Sequence, residues 1–457
     1  MMQRERFSSR LGFILISAAC AIGLGNVWRF SYITGQYGGG VFVLIYLAFL
    51  ILLGLPIMTM ELAVGRGSQK SAATSFDVLE PPGTEWHNFK YLAITGNYLL
   101  MMFYTTITGW MFAYFYKMVT WQFKGMDPDA VAGVFGAMVS NPVYMGFWMV
   151  LTIGLGFFIV SLGLNNGVEK VTTYMMSLLF IIMFGLVARA LTLPGAGEGL
   201  SFYLKPDISK IHEHGLWTVI YAALGQAFFT LSIGMGSIAI FGSYIDKDRS
   251  LTGEALSIIG LDTLVALMSG LIIFPAAFAY GIEPGAGPGL IFVTLPNVFV
   301  NMAGGRLFGS LFFLFMSFAA FSTVLAVFEN IVAFSMDLWN WDRKKAFYVN
   351  TPLLIILSIP MILGFNLWES FAPLGPGTIV LDLEDFLVSN NVLPLGGLIY
   401  VLFTTRKSGW GWENFLAEAN TGSGVKFPRG VYFYVKWILP LIILVVFIAG
   451  YLDLFLP

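Results

Sequence analysis

Residues 19–30 read ACAIGLGNVWRF and lie inside the first long apolar run, which begins at Leu11. A run of this length and character predicts a membrane-spanning helix. Gly23 and Gly25 each weaken a helix by roughly 1 kcal/mol. An arginine at bilayer depth, as Arg29 would be, costs at least ~2.5 kcal/mol on the mildest scale. With Asn26 between them, these residues predict a helix that is broken where it crosses the membrane.

Composition supports a membrane setting. The chain is 57% hydrophobic and 11% charged, with a mean hydropathy of +0.80. Soluble domains carry about 25% charged residues, enough to cover a water-facing surface. A net charge of −2 points to no nucleic-acid partner. The single cysteine, Cys20, excludes an internal disulfide. Ser17 stands where a lipoprotein signal would need a large aliphatic residue, so Cys20 reads as a small buried residue. Neither a Ser/His/Asp set nor a metal-ligand cluster is present, and His87, His212 and His214 fall near loops, so no enzyme is expected.

Polar, Pro/Gly-rich and charged pieces divide the chain into eleven spans, near 11–32, 40–64, 88–121, 143–163, 168–192, 214–243, 254–281, 305–337, 346–365, 378–404 and 430–455. Segment 282–304 is too broken to span and reads as an outer loop with a short helix resting on the protein. Lys and Arg fall mostly on one side, including Arg4, Arg6, Arg10, Arg66, Lys70, Lys247, Arg249, Arg343, Lys344 and Lys345. That bias places the N-terminus in the cytoplasm and, with an odd span count, the C-terminus outside.

Span one is broken at GLGN and span six at TLSIGMG, residues 230–236. Paired Gly-interrupted helices at matching places in two halves mark a binding site at the bilayer midplane. Five spans separate the breaks, so the second unit enters the membrane the other way round. The expected fold is an all-α polytopic membrane protein, a 5+5 inverted-repeat bundle plus an eleventh span. Its parts are a cytoplasmic segment 1–10, a first repeat 11–192, an extracellular loop 193–213, a second repeat 214–404, a cytoplasmic connector 405–429, and the last span with the C-terminus, 430–457.

The runs RLGFILISAACAIGLGNVWRF and GGGVFVLIYLAFLILLGLPIMTMELAVGRG resemble the first two helices of the neurotransmitter:sodium symporter family. GQAFFTLSIGMGSI is similar to its sixth helix, and NNGVEK and FYLKPD also match. The resemblance covers residues 4 to about 385. The family usually has twelve spans, and eleven is the pattern of some bacterial members, which implies a bacterial inner-membrane protein.

Unwound helix ends expose backbone groups that in lipid must face a cavity or an ion. The half-helix after Gly25 turns its positive N-terminal end into the gap, which suits a carboxylate. The carbonyls before the break suit Na⁺ and an ammonium group. The breaks thus read as a site for a small zwitterion with cations, although glycines also serve close helix packing.

The resemblance implies two Na⁺ sites. One is formed by the Ala21 carbonyl, Asn26, Thr230 and Asp262, completed by the substrate carboxylate. The other is formed by carbonyls of Ala19, Ile22 and Ala319 with the hydroxyls of Ser322 and Thr323. Oxygen-only ligands suit a hard cation. No organic cofactor is implied. Tyr104 aligns with the tyrosine that binds the substrate carboxylate and Phe229 with an aromatic lid. The remaining substrate positions are Ala21, Gly23, Leu24, Gly25, Leu100, Thr230, Ser232, Met235, Thr323 and Val327. Monoamine carriers of the family have an aspartate at the position of Gly23. Its absence favours an amino acid, and the apolar pocket favours a hydrophobic or aromatic one.

Arg29 is expected to close the outer side with Asp385, and Arg4 the inner side with Asp337, near Tyr244. Glu61 and Glu329, both inside spans, are expected to bind exposed backbone or other polar groups. Family members often have a proline in span five where Ser177 stands here, so the usual inward Na⁺ release route is in question. Asp262 stands where the family usually has asparagine. Next to Tyr46, Gln226 and Thr230, its carboxylate is expected to replace the bound chloride of chloride-dependent relatives, so chloride is not expected to be required. The reading is a Na⁺-coupled amino-acid importer; a symporter for another small amine or osmolyte, and a transport-inactive sensor, are the alternatives. Sequence leaves the oligomeric state open.

Overall fold

The computed structural model describes residues 7–209, 215–281 and 289–455. Arg4 lies outside them. Among the described residues the chain is helical, with only two isolated β-bridges, Gly39 with Pro206 and Arg249 with Ser423. Eight helices are long and apolar enough to cross a membrane, and the bent pair Arg10–Ala21 and Gly25–Gln36 makes nine. The pair is span one. Spans two, four and five are Gly40–Ser68, Pro142–Ser161 and Leu164–Leu191; spans seven to eleven are Leu251–Ala279, Gly305–Trp339, Arg343–Leu363, Val380–Thr405 and Arg429–Leu452.

The two other expected spans are helical but less plain. Span three, Phe89–Val119, runs 31 residues, ample for a bilayer, yet its Asn, Thr and Tyr side chains dilute its hydropathy. Span six is cut into Leu216–Leu231 and Ser237–Gly242, each too short to cross alone.

Both breaks have local causes. In span one the helix ends where Ile22 turns extended, at φ −67° and ψ 105°, and the next piece starts 57° away. Asn26 Oδ1 accepts the Gly23 N–H at 2.9 Å, which supports the start of the second piece. In span six Ser232 takes a left-handed φ of +49° and Gly234 and Gly236 follow at +97° and +76°. Glu61 of span two accepts the freed N–H groups of Gly234 at 2.8 Å and Ile238 at 3.0 Å. The expected backbone role of Glu61 is therefore observed.

Span eight is the central post. Of its most apolar window 83% is buried, against 28% for span eleven, which lies at the periphery. It packs on spans one, three, four and five. Span five opens with a loosely wound stretch, Leu164–Glu169, after Gly163 at φ +94°. Beyond it Lys170–Leu191 is uninterrupted helix through Ser177, whose hydroxyl donates to the Thr173 carbonyl. Irregularity in this span thus lies before the missing proline.

Leu290–Asn301 forms the expected short helix on the protein. Its Phe292 ring sits 5.6 Å from Trp110 and 4.9 Å from Phe135, and its carbonyl accepts from the Tyr114 hydroxyl. The connector 405–429 is more than a polar link: it contains a helix, Trp412–Ala419, whose Glu418 binds the fully buried Arg66 of span two at 2.6 Å. A buried arginine needs such a partner.

Candidate functional site

The two broken spans meet in the middle of the bundle. Gln226 of span six donates to the Gly25 carbonyl at 2.8 Å, tying the second half of span one to the first half of span six.

On one side of the break, span one meets span eight. The Thr323 hydroxyl lies 3.1 Å from the Ala19 carbonyl, 3.0 Å from that of Ile22 and 3.4 Å from that of Ala319. Ser322 adds a hydroxyl 3.0 Å from the Ala319 carbonyl. All five residues of the expected second ion site are together and buried, and every polar atom named is oxygen. That donor set fits a hard monovalent cation and no soft metal.

On the other side, Asn26, Thr230 and Asp262 converge. Asn26 Nδ2 donates to Asp262 Oδ1 at 2.6 Å and to the Asp262 carbonyl at 3.1 Å. The Thr230 hydroxyl stands 3.5 and 3.4 Å from the two carboxylate oxygens. Tyr46 lies in the same buried layer. The Ala21 backbone borders the chamber between the two clusters.

That chamber has a volume of about 10 Å³. Ala21, Gly23, Gly25, Ser232 and Thr323 form its polar side; Leu100, Tyr104, Phe229 and Met235 form the rest, with Val388 and Leu393 of span ten. Tyr104 Oη accepts the Leu24 N–H at 2.9 Å. A methyl placed on Gly23 would lie 2.2 Å from Tyr104 Oη and 2.6 Å from Thr323 Oγ1. One on Gly25 would touch the Phe229 ring at 3.0 Å. Space therefore favours glycine at both positions. Three expected positions differ. Val327 is fully buried but does not line the chamber, Thr230 faces Asp262 instead, and Leu24 lines the neighbouring vestibule. Val388 and Leu393, not expected, lie in and directly after a loosely wound stretch of span ten, Leu387–Val392, just before Pro394.

Outside Phe229 lies a vestibule of about 240 Å³, bordered by Trp28, Arg29, Tyr32, Ile107, Asp382 and Asp385. The Arg29 guanidinium covers the Phe229 ring at 4.3 Å. The expected direct pair with Asp385 is not formed. Arg29 reaches Ser389 at 3.4 Å, and Ser389 donates to Asp385 at 2.7 Å. The side chain that spans the gap is one residue turn further along the helix than the acid.

At the far end of span eight Asp337 accepts the Ser71 N–H at 2.8 Å and lies 3.8 Å from Lys70. Tyr244 donates to Glu329 at 2.9 Å, and Arg343 grips Glu329 with two bonds, at 2.6 and 3.1 Å. Glu329 therefore joins spans six, eight and nine. A charge inside span eight demands a partner, but Arg343 reads in sequence as part of a topology signal.

Comparison with known proteins places this geometry. The family model for the sodium:neurotransmitter symporter family matches residues 4–126 and 137–455. YhdH, an uncharacterized sodium-dependent transporter of Bacillus subtilis (strain 168), is 34% identical over 445 residues, covering 97% of each chain. The sodium- and chloride-dependent taurine transporter of Rattus norvegicus is 26% identical over 451 residues, covering 88% of this chain and 70% of that one. The crystal structure of MhsT in complex with L-phenylalanine matches with a TM-score of 0.88 at 38% identity, over 98% of this chain and 100% of the other. The chain belongs to the sodium:neurotransmitter symporter family, and it is a sodium-dependent membrane transporter, not an enzyme.

Proposed function

We propose that the protein imports a hydrophobic or aromatic amino acid by alternating access, coupled to Na⁺ bound at two clusters. The juncture at Gly23 carries this reading, because the Tyr104 and Thr323 hydroxyls both crowd the space beside its bare Cα. The Tyr104 hydroxyl and the positive end of the half-helix after the break suit the substrate carboxylate. Carbonyls at the break suit its ammonium group. Leu100, Met235, Val388 and Leu393 suit an apolar side chain, and the relative MhsT was solved with L-phenylalanine.

Na⁺ at the Thr323 cluster would draw span one towards span eight and fix one wall of the chamber. Na⁺ at the Asn26–Asp262 cluster would be completed by the substrate carboxylate. Each ion then favours substrate binding, which is the requirement for coupled transport. Entry of a substrate requires the chamber to widen, with Phe229 and span ten moving apart. Chloride is not required in this reading, since Asp262 supplies the negative charge. The protein sits in the bacterial inner membrane with its N-terminus in the cytoplasm and its C-terminus outside.

The taurine transporter relatives favour a second reading, a symporter of a small osmolyte. The apolar wall argues against it. Uptake into proteoliposomes separates the readings. An inward Na⁺ gradient is expected to drive accumulation of L-phenylalanine or L-leucine but not of taurine, and Ser322→Ala with Thr323→Ala is expected to abolish it. Equal uptake with K⁺ replacing Na⁺ overturns the proposal, and Na⁺-dependent binding without uptake assigns a sensor.

A further inference from the structure

We propose that the ends of spans ten and eleven nearest the 405–429 connector form a headgroup site for an acidic glycerophospholipid. Arg406, just past the end of span ten, lays its guanidinium over the Trp437 ring at 4.4 Å. Lys436 of span eleven lies 4.8 Å over Tyr432 and 5.7 Å over Trp437. Among the described residues, its only short bond is to the Tyr432 hydroxyl, at 2.6 Å, and Arg406 reaches only the Lys436 carbonyl, at 3.4 Å.

Among the described residues, neither cation has a carboxylate partner. Another ion pair on the connector, between Arg429 and Glu413, is loose and exposed, at 3.8 Å. Two half-buried cations sharing one aromatic ring repel each other unless an anion lies between them. Aromatic faces offset part of that repulsion, but most of the Arg406 donors stay open.

The surface below the cations says which anion. Trp437, Leu441, Leu444 and Ile448 are 52%, 61%, 39% and 53% exposed. At spacings of three and four residues they form one stripe along span eleven. The cations cap one end of that stripe. An anion with an apolar tail meets both features: a phosphate diester at Arg406 and Lys436, and an acyl chain along Leu441 to Ile448. Tryptophan at the boundary between the two suits its amphipathic ring. A soluble phosphate would leave the stripe unused, and a second copy of the chain would leave the cations unpaired.

Native mass spectrometry of the detergent-solubilised full chain tests this, with phosphatidylglycerol and phosphatidylcholine of matched acyl chains added in equal amounts. Two cations at a membrane surface predict a preference for phosphatidylglycerol on the order of tenfold. Arg406→Gln with Lys436→Gln is expected to bring the ratio close to one, and Arg406→Lys to retain part of it. Na⁺-dependent substrate binding is the control that the variants fold. Equal retention of the two lipids by the native protein overturns the proposal. So does an unchanged preference in the double variant, displacement of the lipid by inorganic phosphate, or a lipid-free dimer that Leu441→Lys dissociates.

Discussion

Asn26 gives its amide to Asp262 Oδ1 at 2.6 Å, although Asp262 is fully buried within span seven. The same asparagine accepts the Gly23 N–H, so one side chain joins the break of span one to the acid. Charge at this acid is therefore felt at the break. Two unit charges ~4 Å apart interact by about 4 kcal/mol at an effective dielectric of 20, enough to govern Na⁺ binding. Native uptake is expected to continue when gluconate replaces chloride. Asp262→Asn or Asp262→Ser is expected to weaken Na⁺ binding by about tenfold or more, with partial recovery on adding chloride. Na⁺ titrations of substrate binding in the two anions check this, and native uptake that stops in gluconate refutes it.

Gly23 leaves room for the Tyr104 and Thr323 hydroxyls by the width of a missing methyl. An added Cβ would come within 2.2 Å of Tyr104 Oη and 2.6 Å of Thr323 Oγ1, distances that force one hydroxyl aside. Gly23→Ala is expected to weaken Na⁺ and substrate binding together. Leu100→Ala, which enlarges only the apolar wall, is expected to change substrate preference while leaving the Na⁺ affinity measured without substrate within about twofold. Equal effects of the two substitutions on Na⁺ would show that Gly23 does not couple them.

The fold was largely legible because its decisive features are local. GLGN and TLSIGMG announce breaks by composition. Glu61 was legible as well, since a lone carboxylate in a span must bind something and freed backbone N–H groups were at hand. Residues whose roles come from packing between distant spans were not. Val388 and Leu393 border the chamber only because of how span ten leans on spans three and six. Glu418 looks like an ordinary surface acid in a polar connector until Arg66, 352 positions earlier in sequence, is found beside it. Ser389 was hidden among acidic neighbours, although its hydroxyl stands between Arg29 and Asp385.

A prediction about closure follows from that relay. Ser389 stands between Arg29 and Asp385, at 3.4 and 2.7 Å. If the relay holds the closed state, Ser389→Ala and Asp385→Ala should each raise the reactivity of a cysteine introduced at Ile107, read with a membrane-impermeant thiol reagent. The native Cys20 is fully buried and gives little background. Uptake should slow in both variants. A fall in uptake with Asp385→Ala alone, and no effect of Ser389→Ala, would assign the closing contact to Arg29 and Asp385 directly.

The connector clamp makes a prediction about stability. Arg66 is fully buried and gives Nε to Glu418 Oε1 at 2.6 Å and Nη1 to the Arg249 carbonyl at 2.6 Å; Nη2 is bonded to the Glu418 carbonyl. Lys247 holds the other Glu418 oxygen at 2.9 Å, so one carboxylate joins span two, the loop after span six and the connector before span eleven. Removing one partner of a buried pair typically costs about 3–5 kcal/mol, because the other charge is left unpaired. Glu418→Ala should therefore lower the melting temperature in detergent clearly, and Glu418→Gln less, since a neutral amide oxygen still accepts from Arg66. Arg66→Met combined with Glu418→Leu removes both buried charges and is expected to recover much of the loss. A double variant as unstable as the sum of the single ones would show that Arg66 and Glu418 act independently, and that the backbone bonds to Arg66 hold the connector in place.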